Sequence, residues 1–181
     1  MDVQWAAAAI DQNEARKLFE RGQRRSLFSP FRWFARQPKQ TRLELVYLPC
    51  RVVFLSVEEK DAAGFVLVNG YARQAQAVRE KLPTIEEPAG CLRFNYPLSD
   101  RESLAIARAS FLSWKLGRIA GGPRDSADFV LGYLLHYPYW ANYVESPSGR
   151  IALNLLDGVT ARPGGVMMKQ AFLEAMKRQS D

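Results

Sequence analysis

Leu43-Glu44-Leu45-Val46-Tyr47-Leu48-Pro49-Cys50-Arg51-Val52-Val53-Phe54-Leu55-Ser56-Val57 decides how this chain is read. Residues 43–47 alternate, and Val52, Val53, Phe54 and Val57 follow in a second apolar run, so the stretch reads as strand. Glu44 and Arg51 break it too soon for a membrane span, which needs about 20 apolar residues. Pro49 has no N–H to give a ladder and predicts a break into two extended runs. Residues 129–144 have the same character, with His136 and Pro138 near the middle, and predict extended runs over 129–137 and 139–144.

Outward from these stretches, 65–68 reads as a strand closed by Asn69-Gly70, a strong turn dipeptide. Residues 150–156 read as another, closed by Asp157-Gly158. Helices are predicted over 3–24 (with Asp11 and Glu14 as a start signal), over 71–82, over 99–120 with Ser99 and Glu102 as a capping box, and over 166–178. Pro83, Pro88, Gly90 and Pro97 make 83–97 the natural linker. The fold class that follows is α+β, an antiparallel sheet covered by helices, in a single domain over 1–181. Pro49 and Pro138 lie 89 apart, and Asn69-Gly70 and Asp157-Gly158 lie 88 apart. With Ala15-Arg16 and Ala107-Arg108 lying 92 apart, these near-constant offsets suggest pseudo-repeat halves over 3–87 and 98–178.

Tyr47-Leu48-Pro49 and Tyr137-Pro138-Tyr139-Trp140 each sit within an apolar strand region, with a basic aromatic segment upstream and Asp157-Gly158-Val159-Thr160 downstream. This resembles uncharacterised bacterial proteins with a Tyr-Leu-Pro-Phe-Trp-like strand motif, although Cys50-Arg51 replaces the aromatic pair in the first half. The resemblance implies a fold and no catalytic residues.

Chemistry-bearing motifs are sparse. The single histidine, His136, excludes a two-His metal site within one chain, and Cys50 and Cys91 lack the spacing of a structural zinc site. His136 in an apolar strand reads as a buried ring satisfied by a neighbouring hydrogen bond. Glu58-Glu59 and Glu86-Glu87 read as solvated turn charge, and no recognised phosphate-cradling loop is present. Met167, Met168 and Met176, beside Phe172 and Leu173, read as core filling on the last helix. No catalytic residue, cofactor or metal is therefore assigned, and the chain is read as a non-enzyme.

Charge supplies the functional clue. Between Arg16 and Arg42 nine Lys or Arg face one acid, Glu20, a net of +8 in a chain whose total is only +6. Rings are threaded through that segment. Clustered cations beside amphipathic rings suit an acidic counterpart. The predicted partner-binding residues are Arg16, Arg21, Arg24, Arg25, Phe28, Phe31, Arg32, Trp33, Phe34 and Arg36, joined by a strand surface of Tyr137, Tyr139, Trp140 and Tyr143. The predicted function is a non-catalytic accessory or adaptor subunit on the acidic surface of a larger protein assembly. The alternative is a peripheral protein on an anionic membrane surface. A small-ligand-binding module ranks lower, and so does nucleic acid, since charge without a reading module gives only non-specific binding. The short apolar start and the absence of a disulfide pattern predict a cytoplasmic location, peripheral to a membrane in the alternative.

Overall fold

The computed structural model describes residues 2–26, 39–57, 64–78, 80–116, 127–145 and 149–180. Among them are seven strands and three helices: β1 (Val3–Ala6), α1 (Gln12–Ser26), β2 (Lys39–Val57), β3 (Gly64–Asn69), β4 (Gln74–Val78), β5 (Thr84–Ile85), α2 (Asp100–Leu116), β6 (Ala127–Glu145), β7 (Ile151–Asp157) and α3 (Val166–Ser180). The strands form one sheet in the order β4-β3-β2-β6-β1-β5, with β7 also on β6. Only the β1–β6 pair is parallel. The α+β class holds.

Two 19-residue strands, β2 and β6, run through their prolines without a break, which corrects the expectation of split runs. The reason is geometric. In an antiparallel strand the N–H and C=O of one residue point to the same side. The carbonyl of Pro49 accepts from Gly70 N at 3.4 Å, and that of Pro138 from Gly158 N at 3.0 Å, both in turns beyond the β2–β6 ladder. Each proline nitrogen thus faces outward at the point where β3 or β7 has ended, and no ladder bond is lost. Across the ladder, Pro49 lies opposite His136 and Pro138 opposite Tyr47.

Side-chain alternation then sorts the core. Leu43 and Leu45 meet Ala15, Leu18 and Phe19 of α1 together with Trp140. Val53, Val66 and Val68 meet Leu104 and Ala107 of α2. The intervening residues Val46, Leu48, Cys50 and Val52 face the other way, onto Phe172 and Ala175 of α3. A bulge between Arg51 and Val53 sets two β6 residues against Val52, which keeps Leu131 and Trp140 on the same face despite their opposite parity. The sheet is thus a middle layer, α1 and α2 lying on one face and α3 on the other.

Equivalent devices recur at offsets of 88 or 89 residues. Asn69 Oδ1 accepts from Tyr71 N at 3.1 Å and Ala72 N at 2.9 Å; Asp157 Oδ1 accepts from Val159 N at 2.9 Å and Thr160 N at 2.8 Å. Each turn ends in a left-handed residue, Arg73 (φ 50) and Ala161 (φ 57). Asp11 caps α1 through Glu14 N at 2.8 Å, and Ser99 caps α2, with Glu102 returning the bond to Ser99 N at 2.9 Å.

Two predicted helices are corrected. Residues 3–6 form β1, because Trp5 and Ala6 are buried beside β6, and that tertiary pairing overrides the helix propensity of the alanine run. The helix there starts only after Asp11. Residues 74–78 form β4, because the turn after Asn69 returns the chain antiparallel to β3. The predicted 99–120 and 166–178 helices correspond to α2 and α3. On α3, Met168 and Met176 pack on the core, whereas Met167 and Leu173 are exposed.

Candidate functional site

α1 is built as a two-sided element. Ala15 is fully buried and Leu18 and Phe19 pack on the same cluster, while Arg16, Lys17 and Arg21 are exposed. Among the described residues these three cations make no ion pair. Glu14 and Glu20 share the exposed surface, so it is mixed with a cationic excess. Arg24 and Arg25 belong to the last turn of α1, but their side chains, and the whole of Phe28, Phe31, Arg32, Trp33, Phe34 and Arg36, lie outside the described residues.

The Tyr/Trp strand surface is corrected. Tyr137, Tyr139 and Trp140 are buried, since both faces of the sheet are covered by helices. Tyr137 Oη donates to Asp157 Oδ1 at 3.0 Å and to Oδ2 at 3.1 Å. Burial, and then the neighbouring Asp157 carboxylate, push the Tyr137 phenol upward, and burial does the same to Tyr139. Trp140 Nε1 donates to Ile10 O at 3.1 Å, anchoring the lead-in to α1. Of the four, Tyr143 alone is half-exposed, and its hydroxyl donates to Glu44 Oε1 at 2.7 Å beneath Arg42. Tyr137, Tyr139 and Trp140 support the body of the protein and are not on its surface.

A second feature lies between the areas covered by α1 and α2, where the sheet presents Tyr47, Pro49, Leu134 and His136. Trp5 of β1 stacks on the His136 ring at 4.0 Å and meets Tyr47 edge-on at 5.0 Å. His136 is only 6% exposed, and its Nδ1 has no hydrogen-bond partner among the described residues, which corrects the expectation of a satisfied histidine. A buried polar atom left unpaired typically costs about 1–3 kcal/mol, so this one calls for a reason. Burial lowers the His136 pKa from 6.5; Glu87 opposes that shift and Arg93 adds to it. The ring opens on a cleft of about 500 Å³ with Glu86, Glu87 and Arg93 at its rim. Arg93 pairs with Glu87.

Sequence reasoning placed Glu86 and Glu87 correctly on the surface and missed their convergence on His136. The cleft draws on β1, β6 and residues 85–96, and no single stretch carries its signal.

The remaining candidates offer less chemistry. Cys50 is buried, and burial pushes its thiol up to about 12, so it stays protonated and unreactive. Among the described residues no three His, Cys, Asp or Glu side chains gather as a metal site, and no helix is long and apolar enough to cross a membrane. No protein-family model, curated protein or solved structure matches this chain.

Proposed function

We propose that this protein is a non-catalytic accessory subunit that docks through α1 and the basic segment after it onto an acidic surface of a larger protein assembly. The carrying observation is the division of α1: its apolar side packs on Leu43, Leu45 and Trp140, and its outer side offers Arg16, Lys17 and Arg21 without internal neutralisation among the described residues. Exposed cations that serve no fold-internal pair are available for steering and for charge-assisted bonds to carboxylates. The buried Trp140 then acts indirectly, by holding the docking helix against the sheet.

The test is co-purification of the full chain from its native source, with Arg16→Glu plus Arg21→Glu as the comparison. Both sites are exposed, so circular dichroism and melting should match the wild type. Partner retention should fall about tenfold or more and should weaken with salt in the wild type. Equal retention by the double variant would refute docking through α1. Flotation of the wild type with anionic but not neutral liposomes would transfer the basic segment to a membrane role.

A further inference from the structure

The sheet has an open edge where its surface is apolar. β2 pairs with β6 over its whole length, from Ala127 to Glu145. On the other side of β6, β1 takes 134–136 and β7 takes 139–145. Among the described residues no strand pairs with that side over 127–133. The direction of the backbone groups there follows from Pro49, whose carbonyl points to the β3 side, at Gly70 N. Val53 and Leu55 share its parity and point the same way. Their partners on β6, Leu131 and Phe129, therefore turn N–H and C=O away from β2, toward the open side.

The side chains leading to this edge form an apolar row. Val78, Phe65, Phe54 and Val130 lie directly opposite one another on β4, β3, β2 and β6. Val78 and Phe65 pack on the core beneath α3, whereas Phe54 is 43% and Val130 58% exposed. Exposure thus rises toward the open edge, where the row lacks a next strand. Other edges are guarded. The chain after β7 folds back on it, with Gly164 N donating to Leu155 O and Asp157 N to Arg162 O, both at 2.8 Å. β2 carries Arg42 and Glu44 before β3 joins it, and β4 presents Gln74 and Gln76 to solvent. Residues 127–133 have one acid, Asp128, and no Lys, Arg or Pro, the residues that keep strand edges apart.

We infer that two copies of this chain pair through β6, antiparallel and two-fold symmetric about Val130, joining their sheets edge to edge. The occupant is a second copy because the segment complements itself. With Val130 on the axis, Phe129 stands opposite Leu131 of the second copy, and Leu131 opposite its Phe129. These are the residues whose backbone groups are free, and each such pair exchanges both N–H···O bonds. Val130 meets its own counterpart at the close, non-hydrogen-bonded position, so the apolar row continues into the second sheet. Charge agrees, since Asp128 faces Gly132 of the second copy and the two acids stay apart. α1 lies over Leu43, Leu45 and Trp140, toward the other end of the same strands, so docking and pairing use different surfaces.

Sedimentation equilibrium of the full chain from about 1 to 100 μM tests the pairing. The mass should rise from 20.5 kDa to twice that value, with a dissociation constant of about 10 μM or below. Val130→Lys sets two cations face to face at an exposed position; melting should match the wild type, and the dissociation constant should rise about tenfold or more. Cross-linking reads the register. Val130→Cys should form an intermolecular disulfide under mild oxidation, since the facing Cα atoms are about 4.5 Å apart. Asp128→Cys should stay at the background set by wild-type Cys50 and Cys91, because at about 3.4 Å per residue its two copies stand roughly 14 Å apart. Arg16→Glu with Arg21→Glu should leave the dimer intact, which separates this contact from docking. A monomer at about 100 μM, growth past the dimer, a dimer indifferent to Val130→Lys, or equal cross-linking by the two cysteine variants would each overturn the inference. Loss of the dimer with the α1 charges would do the same.

Discussion

Arg51 and Trp140 each lie two residues beyond the proline of a long central strand, and each supports a helix. Trp140 sits beneath α1 and holds the chain before it through Ile10 O. Arg51 sits at the start of α2, its Nη2 2.8 Å from Asp100 Oδ1 and its guanidinium 5.5 Å from the centre of the Tyr96 ring. α1 covers β2 and β6 around Leu43, Leu45 and Trp140, and α2 covers β2, β3 and β6 around Val53, Val66 and Leu131. One scaffold position is filled by an indole in one case and a guanidinium in the other. The two strand positions share their geometry and differ in side-chain chemistry.

That contrast sets the order of expected effects. Trp140→Ala removes a buried ring and the hydrogen bond to Ile10, and should cost about 3–5 kcal/mol in denaturant unfolding. Arg51→Met should cost about 1 kcal/mol, because the Asp100 side chain left behind is 57% exposed and remains hydrated. A larger loss at Arg51 than at Trp140 would reverse the comparison.

Gly158→Ala ranks between these two. Its added Cβ would lie 2.9 Å from Pro138 O, the backbone of a central strand, and about 2 kcal/mol is expected from overpacking. At Gly70 the Cβ instead meets side-chain atoms of Pro97 and Tyr96, at 2.5 and 2.8 Å, which yield more readily than a backbone oxygen. Melting of the two variants side by side checks the ranking.

The smallest effect separates the caps. Glu102 is held down to about 2 from 4.5, first by the Ser99 backbone N–H, then by the Ser99 hydroxyl and by Arg73. A carboxyl lowered in the folded state stabilises fully above its unfolded value, and that contribution is lost as pH falls from 4.5 to about 2. Glu102→Gln should flatten stability against pH across that window. At α1, Asp11 accepts from Glu14 N in the corresponding position.

Much of this frame was legible in the sequence. Ser99 with Glu102, Asn69-Gly70 and Asp157-Gly158 carry local hydrogen-bonding signals, and each sits where those signals place it. What misled were signals decided at a distance. Pro49 and Pro138 read as breaks because their outward-facing nitrogens depend on where neighbouring strands end. The alanines after Trp5 read as helix because β6, more than a hundred residues away, was invisible. The density of rings at Tyr137, Tyr139 and Trp140 suggested a surface, because a strand's alternation does not reveal that both faces are covered. The amphipathic division of α1 was readable from Ala15, Leu18 and Phe19 alone. The His136 cleft was not, since its parts meet only after folding.

The register of β2 against β6 also bears on how the chain reaches this state. Val57 pairs with Ala127 at the near end of the ladder, so β2 has left the ribosome about 70 residues before its partner begins to emerge. At about 5–20 residues per second that is a wait of several seconds or more. For that interval a long apolar strand has its main hydrogen-bonding edge open to other nascent chains. Efficient production should therefore depend on a holding chaperone, or on a fast pace of translation through the middle of the message.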